Sequence, residues 1–207
     1  MTERPPSLDL SRLYGARDLD ELRDEYDRIA TAYDGDDWDW LGPEMVVEAA
    51  LRWAPVDSLV LDAGAGTGQL GVALRGAGFT RLHAMDFSSG MLAVAREKGV
   101  YADLREGKLG DPLGYPDGAY DTVVACGVFT TGHAPPTGLR ELARITRPGG
   151  YVILTLRSDA TPPGFDEVTV QLSEGGVWAL VECGAEVAAM PKTAPGVLLR
   201  VWVYAVF

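Results

Sequence analysis

Short β-rich runs alternate with helix-like runs over most of this 207-residue chain, and the alternation constrains the fold more than any other feature. The β-rich runs are SLVLD, RLHAMD, LREGKL, YDTVVAC and YVILTL, and the helix-like runs between them are GQLGVALRGA, SGMLAVAREKG and PTGLRELARIT. Such alternation is typical of an α/β protein, in which helices cover both faces of a mostly parallel sheet.

The two C-terminal runs, GVWALVECGAEVAAMP and GVLLRVWVYAVF, follow a different pattern. Only KTAP separates them, which is too short for the helical crossover that parallel strands need. They are therefore predicted to pair antiparallel at the edge of the sheet.

Two amphipathic helices are predicted before the sheet. Apolar residues recur every three or four positions from Asp18 to Ala32, and a second helical run extends from Pro43 to Trp53. We expect residues 1–54 to form an arm and cap helices over the functional site and residues 55–207 to form the core, within one compact domain. The acidic segment DGDDWDW between the helices is interpreted as a solvated loop or a lid.

Charge and composition disfavour several classes of function. The formal net charge of -12 argues against nucleic acid and anionic membranes, which attract clustered Lys and Arg, and favours a neutral or cationic small molecule. The N-terminus lacks the apolar core of a signal peptide, and no apolar run reaches the roughly 18 residues of a membrane span, so we expect a cytoplasmic protein. Cys126 and Cys183 are too few for a disulfide framework or a metal cluster.

A glycine-rich turn follows the first predicted strand in LVLDAGAGTGQL. It lies at the carboxyl end of the strand, where open parallel sheets bind their ligands. The turn comprises Gly64, Ala65, Gly66, Thr67 and Gly68. The spacing G-x-G-x-x-G that ends at Gly71 is that of a dinucleotide loop. However, the carboxylate of Asp62 would repel a pyrophosphate, and it would attract the sulfonium and ammonium groups of S-adenosylmethionine.

Asp86 ends the second predicted strand. It follows Gly68, the last residue of the turn, by 18 residues. This is close to the spacing of about 20 at which a carboxylate binds the two ribose hydroxyls in nucleotide sites. Asp86 therefore indicates a nucleoside ligand, without separating S-adenosylmethionine from a dinucleotide.

Several stretches together resemble the class I S-adenosylmethionine-dependent methyltransferases, most of all the Williams-Beuren-region methyltransferase-like proteins and their bacterial relatives. These stretches are YDRIATAYD, VLDAGAGTGQL, DFSSGMLAVAREKGVYADL, GAYDTVVACGVFTTGH and LRELARITRPGGYVILTLR. The resemblance extends from Tyr26 to Phe207. It implies a Rossmann-like fold with a seven-stranded sheet of order 3-2-1-4-5-7-6, in which the last strand is antiparallel.

The resemblance also implies how adenine is held. Phe87 follows the acid of the second strand and would cover the adenine ring. Relatives often carry an acid after the third strand, and Lys108 and Leu109 occupy that place here. A lysine cannot accept a hydrogen bond from the adenine amino group, so recognition is expected from backbone groups and from packing by Leu109 and Phe87. The alternative is a shifted alignment with Asp111 in that role.

Other implied site residues come from the fourth strand and the first helix. Cys126, Gly127 and Phe129 are expected to line the pocket beneath the sulfonium, with Cys126 as a small buried residue. Tyr26 and Tyr33 belong to a Y-D-x-x-A-x-x-Y-D element that folds over the cofactor in relatives, and their spacing puts both rings on one helical face. We assign Tyr33 a catalytic role near the acceptor and leave Tyr26 between cofactor binding and packing. Met91, at the start of a helix, is a cofactor contact or a packing residue.

His133 follows the fourth strand and is the candidate for proton transfer, since an ordinary histidine pKa of roughly 6.5 suits a base. A role in bracing the loop is the alternative, and His83, inside the second strand pattern, is interpreted as structural.

Transfer from a sulfonium needs mainly alignment, exclusion of water and a proton acceptor. We therefore predict a methyltransferase that uses S-adenosylmethionine, releases S-adenosylhomocysteine and acts on an O, N, S or C atom of a small molecule. The alternatives are a nicotinamide-dependent oxidoreductase and a non-methylating member of the fold, such as a cyclase or a partner subunit.

Overall fold

The computed structural model describes residues 13, 15–35 and 39–207. This part of the chain contains an eight-stranded sheet. Its strands are β1 (Leu59–Ala63), β2 (Arg81–Asp86), β3 (Asp103–Glu106), β4 (Tyr120–Phe129), β5 (Thr146–Arg157), β6 (Trp178–Cys183), β7 (Val187–Met190) and β8 (Ala194–Val206). Their order is β3-β2-β1-β4-β5-β8-β6, and β7 also pairs with β8.

Strand directions match the prediction. All neighbours from β3 to β5 are parallel, whereas β8 runs antiparallel to β5, β6 and β7. With β8 counted as the seventh strand, the implied order 3-2-1-4-5-7-6 and the antiparallel last strand are confirmed.

The run predicted as a single strand before β8 is divided into β6 and β7. At the break, the N–H of Gly184 donates to the carbonyl of Val201 at 2.8 Å. Since β8 is 13 residues long, the two shorter strands pair with successive parts of it.

The helices are α1 (Leu19–Ile29), a 3-10 turn (Ala30–Ala32), α2 (Gly42–Trp53), α3 (Gln69–Gly76), α4 (Ser89–Glu97), α5 (Gly138–Ile145) and α6 (Phe165–Glu174). The predicted amphipathic helices correspond to α1 and α2. Asp18 caps α1 by accepting from two backbone N–H groups, and Pro43 lies in the first turn of α2. The sequence pattern did not predict helix α6, because its consecutive β-branched residues at 168–170 favour a strand equally well.

Helices cover both faces of the sheet, as predicted. Adjacent residues of β4 point to opposite faces: Val123 belongs to a core cluster with α5 and α6, and Val124 to a cluster with α2 and α3. Within the described residues, no helix combines the length and hydropathy that a membrane span requires.

Helix α1 packs on α4, with Leu22, Ile29 and Met91 in a third buried cluster. Because α4 begins just after β2, this contact places α1 over the edge of the sheet where the parallel strands end. The division into cap and core at residue 55 remains a prediction.

Candidate active site

The glycine turn after β1 folds back on the end of β2. Three of its glycines have positive φ: Gly64 (85°), Gly66 (53°) and Gly68 (86°). The N–H groups of Gly64 and Ala65 both donate to the carbonyl of Met85, at 2.7 and 3.0 Å. A Cβ at residue 64 would lie 2.4 Å from the side chain of Val128, so glycine is required there by space as well as by φ.

The carboxylate of Asp86 completes this turn. One oxygen accepts from the N–H of Gly66 at 2.8 Å, and the other accepts from the N–H of Ser88 at 2.9 Å. Asp86 is almost fully buried, and desolvation raises its pKa to about 6 despite these hydrogen bonds. The anion bound by the Gly66 amide is therefore a side chain of the protein itself.

Asp62 lies at the end of β1 and is 1% exposed. Its Oδ2 accepts from the hydroxyl of Tyr101 at 2.6 Å, and its Oδ1 is buried with no hydrogen-bond partner among the described residues. Burial raises the pKa of Asp62 to about 7, and the nearby charge of Asp86 acts in the same direction. A buried acceptor of this kind is costly unless a ligand supplies a donor.

Tyr101 was missed by the sequence reasoning, and Gly71 was the signal that could have found it. A Cβ at residue 71 would lie 2.2 Å from the Tyr101 ring, and one at Gly68 would lie 3.0 Å from it. The last glycine of the G-x-G-x-x-G pattern therefore makes room for the tyrosine that binds Asp62. The glycine at position 71 is therefore explained without a bound dinucleotide.

Asp27, in α1, anchors this helix to the start of α4. Its Oδ1 accepts from the hydroxyl of Ser88 at 2.5 Å and from the N–H of Gly90 at 2.7 Å. A Cβ at residue 90 would lie 2.9 Å from Asp27, so a glycine permits this close approach.

Asp34, just beyond the 3-10 turn, makes a second anchor. It accepts from Thr67 Oγ1 at 2.5 Å and Gln69 Nε2 at 2.8 Å, and it forms an ion pair with Lys98 at 2.5 Å. Burial acts to raise the pKa of Asp34, but these hydrogen bonds lower it overall. Asp27 thus fastens the Y-D-x-x-A-x-x-Y-D element to the segment after β2, and Asp34 fastens it to the glycine turn after β1. The sequence reasoning did not identify this role.

The tyrosines of the same element form an aromatic wall. The Tyr26 ring centroid lies 6.2 Å from that of Tyr33 and 5.8 Å from that of Phe87. Trp40 completes the wall near β4, where a Cβ at Gly127 would lie 3.2 Å from the indole. Residues 36–38 of the acidic segment lie outside the described residues, so its assignment as loop or lid remains a prediction.

His133 lies against this wall. Its Nε2 is 3.0 Å from the hydroxyl of Tyr26, and its Nδ1 is 3.4 Å from the carbonyl of Thr131. A carbonyl only accepts, so this contact assigns the proton to Nδ1 and leaves Nε2 as the basic nitrogen, to which Tyr26 donates. Burial lowers the pKa of His133, and the positive charge of Arg157 acts in the same direction. The imidazole is therefore neutral at pH 7.

These groups surround a cavity that is partly open to solvent. The residues named by the sequence analysis that line it are Tyr26, Tyr33, Asp62, Gly64, Ala65, Gly66, Thr67, Asp86, Phe87, Met91, Lys108, Leu109, Cys126, Gly127 and His133. Desolvation raises the pKa of the Cys126 thiol, which keeps it neutral. A second cavity adjoins the first and shares several lining residues with it.

Three positions expected at the site, Phe129, Gly68 and the alternative Asp111, fall outside this lining, and His83 lies outside it as expected. Phe129 was expected in the pocket, but it packs on Phe165 in the core, with ring centroids 6.1 Å apart. Gly68 is the N-cap residue of α3 and belongs to the glycine turn, but it does not line the cavity. Asp111 does not line either cavity, so the shifted alignment has no support. His83 contacts Tyr120 away from the cavities, in keeping with its structural interpretation.

Sequence comparison identifies the family. A family model described as "Methyltransferase domain" matches residues 61–154. Over 175 residues the chain is 35% identical to methyltransferase-like protein 27 of Homo sapiens, an alignment that covers 80% of this chain and 71% of the human protein. The chain belongs to the class I S-adenosylmethionine-dependent methyltransferases. A demethylmenaquinone methyltransferase of Mycolicibacterium vanbaalenii is 34% identical over 146 residues, which cover 67% of this methyltransferase-family chain and 60% of that enzyme.

Solved structures share the methyltransferase fold. A methyltransferase in complex with the Haloferax volcanii Trm112 methyltransferase activator superposes with a TM-score of 0.68 at 23% identity, over 89% of this chain and 98% of that one. The cyclase SpnF superposes with a TM-score of 0.60 at 16% identity, over 79% of this chain and 80% of that one. At these identities the likeness concerns the fold, and the predicted Rossmann-like class is confirmed.

Proposed function

We propose that this methyltransferase-family protein binds S-adenosylmethionine in the larger cavity and transfers the methyl group to a small molecule. The observation that carries the proposal is the N–H of Gly66, which donates to Asp86. A dinucleotide loop uses its glycine amides for the pyrophosphate. Here a carboxylate of the protein takes that bond, which disfavours the nicotinamide-dependent oxidoreductase.

The cavity residues fit S-adenosylmethionine. The buried Oδ1 of Asp62, which lacks a partner among the described residues, would accept from the ammonium group of the cofactor. The oxygens of Asp86 have lone pairs beyond their two backbone bonds, so they would accept from the ribose hydroxyls. Phe87 and Leu109 would pack on the adenine, while Lys108 offers no acceptor for its amino group.

Bound S-adenosylmethionine supplies a methyl group that its sulfonium activates for displacement. The chain would orient the acceptor, exclude water and remove a proton. Because Tyr26 donates to Nε2 of His133, an acceptor hydroxyl or amine would lose its proton through the Tyr26 oxygen to that nitrogen. We assign Tyr33 to positioning the acceptor, since it lines both cavities.

Calorimetry on the Asp86→Ala variant tests cofactor binding. We expect the full chain to bind S-adenosylhomocysteine and not NADH, and the variant to lose about 1–3 kcal/mol of binding free energy with its charge-assisted hydrogen bonds. Asp57→Ala is the matched control, because Asp57 is exposed and precedes the opposite end of β1. NADH binding, or unchanged affinity in the Asp86 variant, would refute the proposal.

Methylated product separates an active enzyme from a non-methylating member of the fold. The full chain is incubated with isotopically labelled S-adenosylmethionine and metabolite extracts, and label is sought in small molecules by mass spectrometry. Label that depends on Tyr33 and His133 supports methyl transfer. Cofactor binding without any labelled product would favour the cyclase or partner-subunit alternative.

A further inference from the structure

The acidic segment DGDDWDW ends in Trp40, whose side chain lines both cavities. We propose that Trp40 determines cofactor specificity, because its indole ring stabilises the charge of the sulfonium, and that Asp39 positions this ring through the turn between β7 and β8. This inference rests on the proposed binding of S-adenosylmethionine and assigns a role to the segment between the two cap helices.

Among the described residues, the two cavities meet at a boundary without a charged side chain. Burial lowers the pKa of His133, so its imidazole is neutral at pH 7, and desolvation raises the pKa of the Cys126 thiol, which keeps it neutral. Because Tyr26 and His133 are proposed to take the proton of the acceptor, the methyl group must face this boundary. The residues that line both cavities are Tyr26, Tyr33, Trp40, Cys126, Gly127 and His133.

A sulfonium at this boundary is a permanent cation without a carboxylate beside it. The buried carboxylates of the larger cavity, Asp62 and Asp86, lie at the ends of β1 and β2 and are proposed to bind the ammonium group and the ribose. An aromatic ring attracts a cation through the negative face of its π system, and the indole of tryptophan attracts it most strongly. An indole at the boundary would therefore favour S-adenosylmethionine over its uncharged product, S-adenosylhomocysteine.

Trp40 is the aromatic residue of the boundary that packs against the end of β4. A Cβ at Gly42 would lie 2.5 Å from its indole, and a Cβ at Gly127 would lie 3.2 Å from it. The indole N–H donates to the thiol of Cys126, and this hydrogen bond acts against the rise of the thiol pKa. The family resemblance places Cys126 and Gly127 beneath the sulfonium. The indole is therefore held beside the expected position of that charge.

Asp39 fixes the backbone before Trp40 on the turn between β7 and β8. Its carboxylate accepts from the N–H of Lys192 at 2.5 Å and from the N–H of Thr193 at 3.3 Å. It also accepts from the hydroxyl of Thr193. This hydroxyl above all holds the pKa of Asp39 below its ordinary value, so the anchor is charged at neutral pH.

The backbone after Trp40 is fixed on the same hairpin. The N–H of Leu41 donates to the carbonyl of Ala189, in β7, at 2.9 Å. The next residue of β7, Met190, lines the second cavity. Trp40 thus lies between two backbone anchors on the hairpin, and its side chain has a third at Cys126. A ring held at three points loses little freedom when a ligand binds, so the attraction of the cation is not spent on ordering the ring.

The ratio of two affinities tests the role of Trp40 without measuring turnover. S-adenosylmethionine and S-adenosylhomocysteine share the adenine, the ribose and the ammonium group, so the ratio of their Kd values reports the methyl sulfonium. In calorimetry on the full chain, we expect Trp40→Leu to reduce the preference for S-adenosylmethionine about three- to tenfold, and Trp40→Phe, which keeps a ring, to reduce it less. Trp53→Leu is the matched control, because Trp53 ends α2 and lines neither cavity.

Two outcomes would overturn the assignment of Trp40. One is an unchanged ratio in the folded Trp40→Leu variant, with folding checked by its thermal transition. The other is an equal fall of the ratio in Trp40→Leu and Trp40→Phe, because the effect would then follow the size of the side chain and not its aromatic character.

Fluorinated tryptophan tests the same point while the shape of the ring is kept. Fluorine withdraws electrons from the ring and so weakens its attraction for a cation. We expect a full chain labelled with 5-fluorotryptophan to show a preference for S-adenosylmethionine about twofold lower. The chain has five tryptophans, so the same labelling in the Trp40→Phe background, where we expect no change of the ratio, isolates Trp40. An unchanged ratio in the labelled wild-type chain would contradict the proposed role.

The positioning role of Asp39 is tested with the same ratio. We expect Asp39→Ala to lower the preference for S-adenosylmethionine, and Asp39→Asn, whose amide oxygen still accepts hydrogen bonds, to restore part of it. In the Trp40→Leu background, Asp39→Ala should not change the ratio further. Additive effects of the two substitutions would show that Asp39 acts independently of Trp40 and would overturn the positioning.

The two proposals fail differently. A chain that binds both forms of the cofactor, with a ratio that does not depend on Trp40, retains the proposed function and loses the specificity residue. A chain that binds neither form loses the proposed function, and with it the assignment of Trp40 and Asp39.

Discussion

At the scale of single residues, the buried carboxylate of Asp62 lowers the stability of the fold when it ionises, although the same charge is proposed to bind the ammonium group of the cofactor. Burial raises its pKa from 3.8 to about 7, so between these values the folded chain holds a proton that the unfolded chain has released. This contribution to stability is complete below about pH 4 and is lost as the pH rises through about 7. We expect Asp62→Asn, which cannot ionise, to raise the free energy of unfolding more at pH 8 than at pH 5.

Thermal unfolding at the two pH values measures this effect, at about 2–4 °C of Tm per kcal/mol for a chain of this size. Asp57→Asn, at an exposed position before β1, should change Tm equally little at both pH values. Equal stabilisation by Asp62→Asn at pH 5 and pH 8 would show that its carboxylate does not titrate in this range. The same variant should bind S-adenosylhomocysteine more weakly, because an amide replaces the charge that faces the ammonium group.

His133 is the second residue with a defined pH dependence. Burial lowers its pKa from 6.5, so the basic form persists at pH 7 and the acid limb of kcat is expected below pH 6.5. His133→Ala should lower kcat by about 100-fold or more, remove that limb and leave cofactor affinity nearly unchanged. His83→Gln is the control, since His83 is the other histidine of the chain. An unchanged pH profile in His133→Ala would assign the proton to another group.

At the scale of elements, the sequence predicted what depends on local periodicity. The three- and four-residue spacing gave α1, and the proline gave the start of α2. The anchoring of α1 was not predictable in this way, because Ser88 is 61 residues from Asp27 and Thr67 is 33 residues from Asp34. Such partners become neighbours only through the packing of α1 on α4.

The second anchor should control how firmly this element is held. We expect Asp34→Ala to increase backbone hydrogen exchange in residues 30–35 and to weaken S-adenosylhomocysteine binding about tenfold, because three hydrogen-bonded partners are lost. Asp24→Ala, at an exposed position on α1, is the matched control. Unchanged exchange in Asp34→Ala would mean that the anchor at Asp27 and the apolar cluster around Leu22 hold the helix without Asp34.

At the scale of the whole molecule, the layout was predictable and the shape of the cavities was not. The alternation of strand-like and helix-like runs predicts a sheet covered by helices on both faces. It does not predict which side chains contact one another. The glycine spacing alone fits both a dinucleotide loop and an S-adenosylmethionine turn. The structure explains Gly71 by the Tyr101 ring, which occupies the space where a Cβ would lie. The net charge likewise could not indicate that Arg157 lines the second cavity, because a net charge does not say where the charged residues lie.

The larger cavity, in which we propose that the cofactor binds, is lined by residues of α1 and of the sheet, so a ligand there should couple the two. Leu22 and Tyr26 come from α1, whereas Asp62 and Asp86 end strands. At 100 times its Kd, S-adenosylhomocysteine should add about 2.7 kcal/mol to the free energy of unfolding. We therefore expect Tm to rise by about 5–11 °C.

Hydrogen exchange distinguishes this coupling from general stabilisation. Amides of residues 19–33 should gain protection on binding, whereas those of α6, which packs away from the cavity, should gain less. NADH at the same concentration should change neither Tm nor exchange. Equal protection in α1 and α6 would show that the ligand stabilises the whole fold without a specific contribution from α1. The anchors at Asp27 and Asp34 would then account for the position of α1.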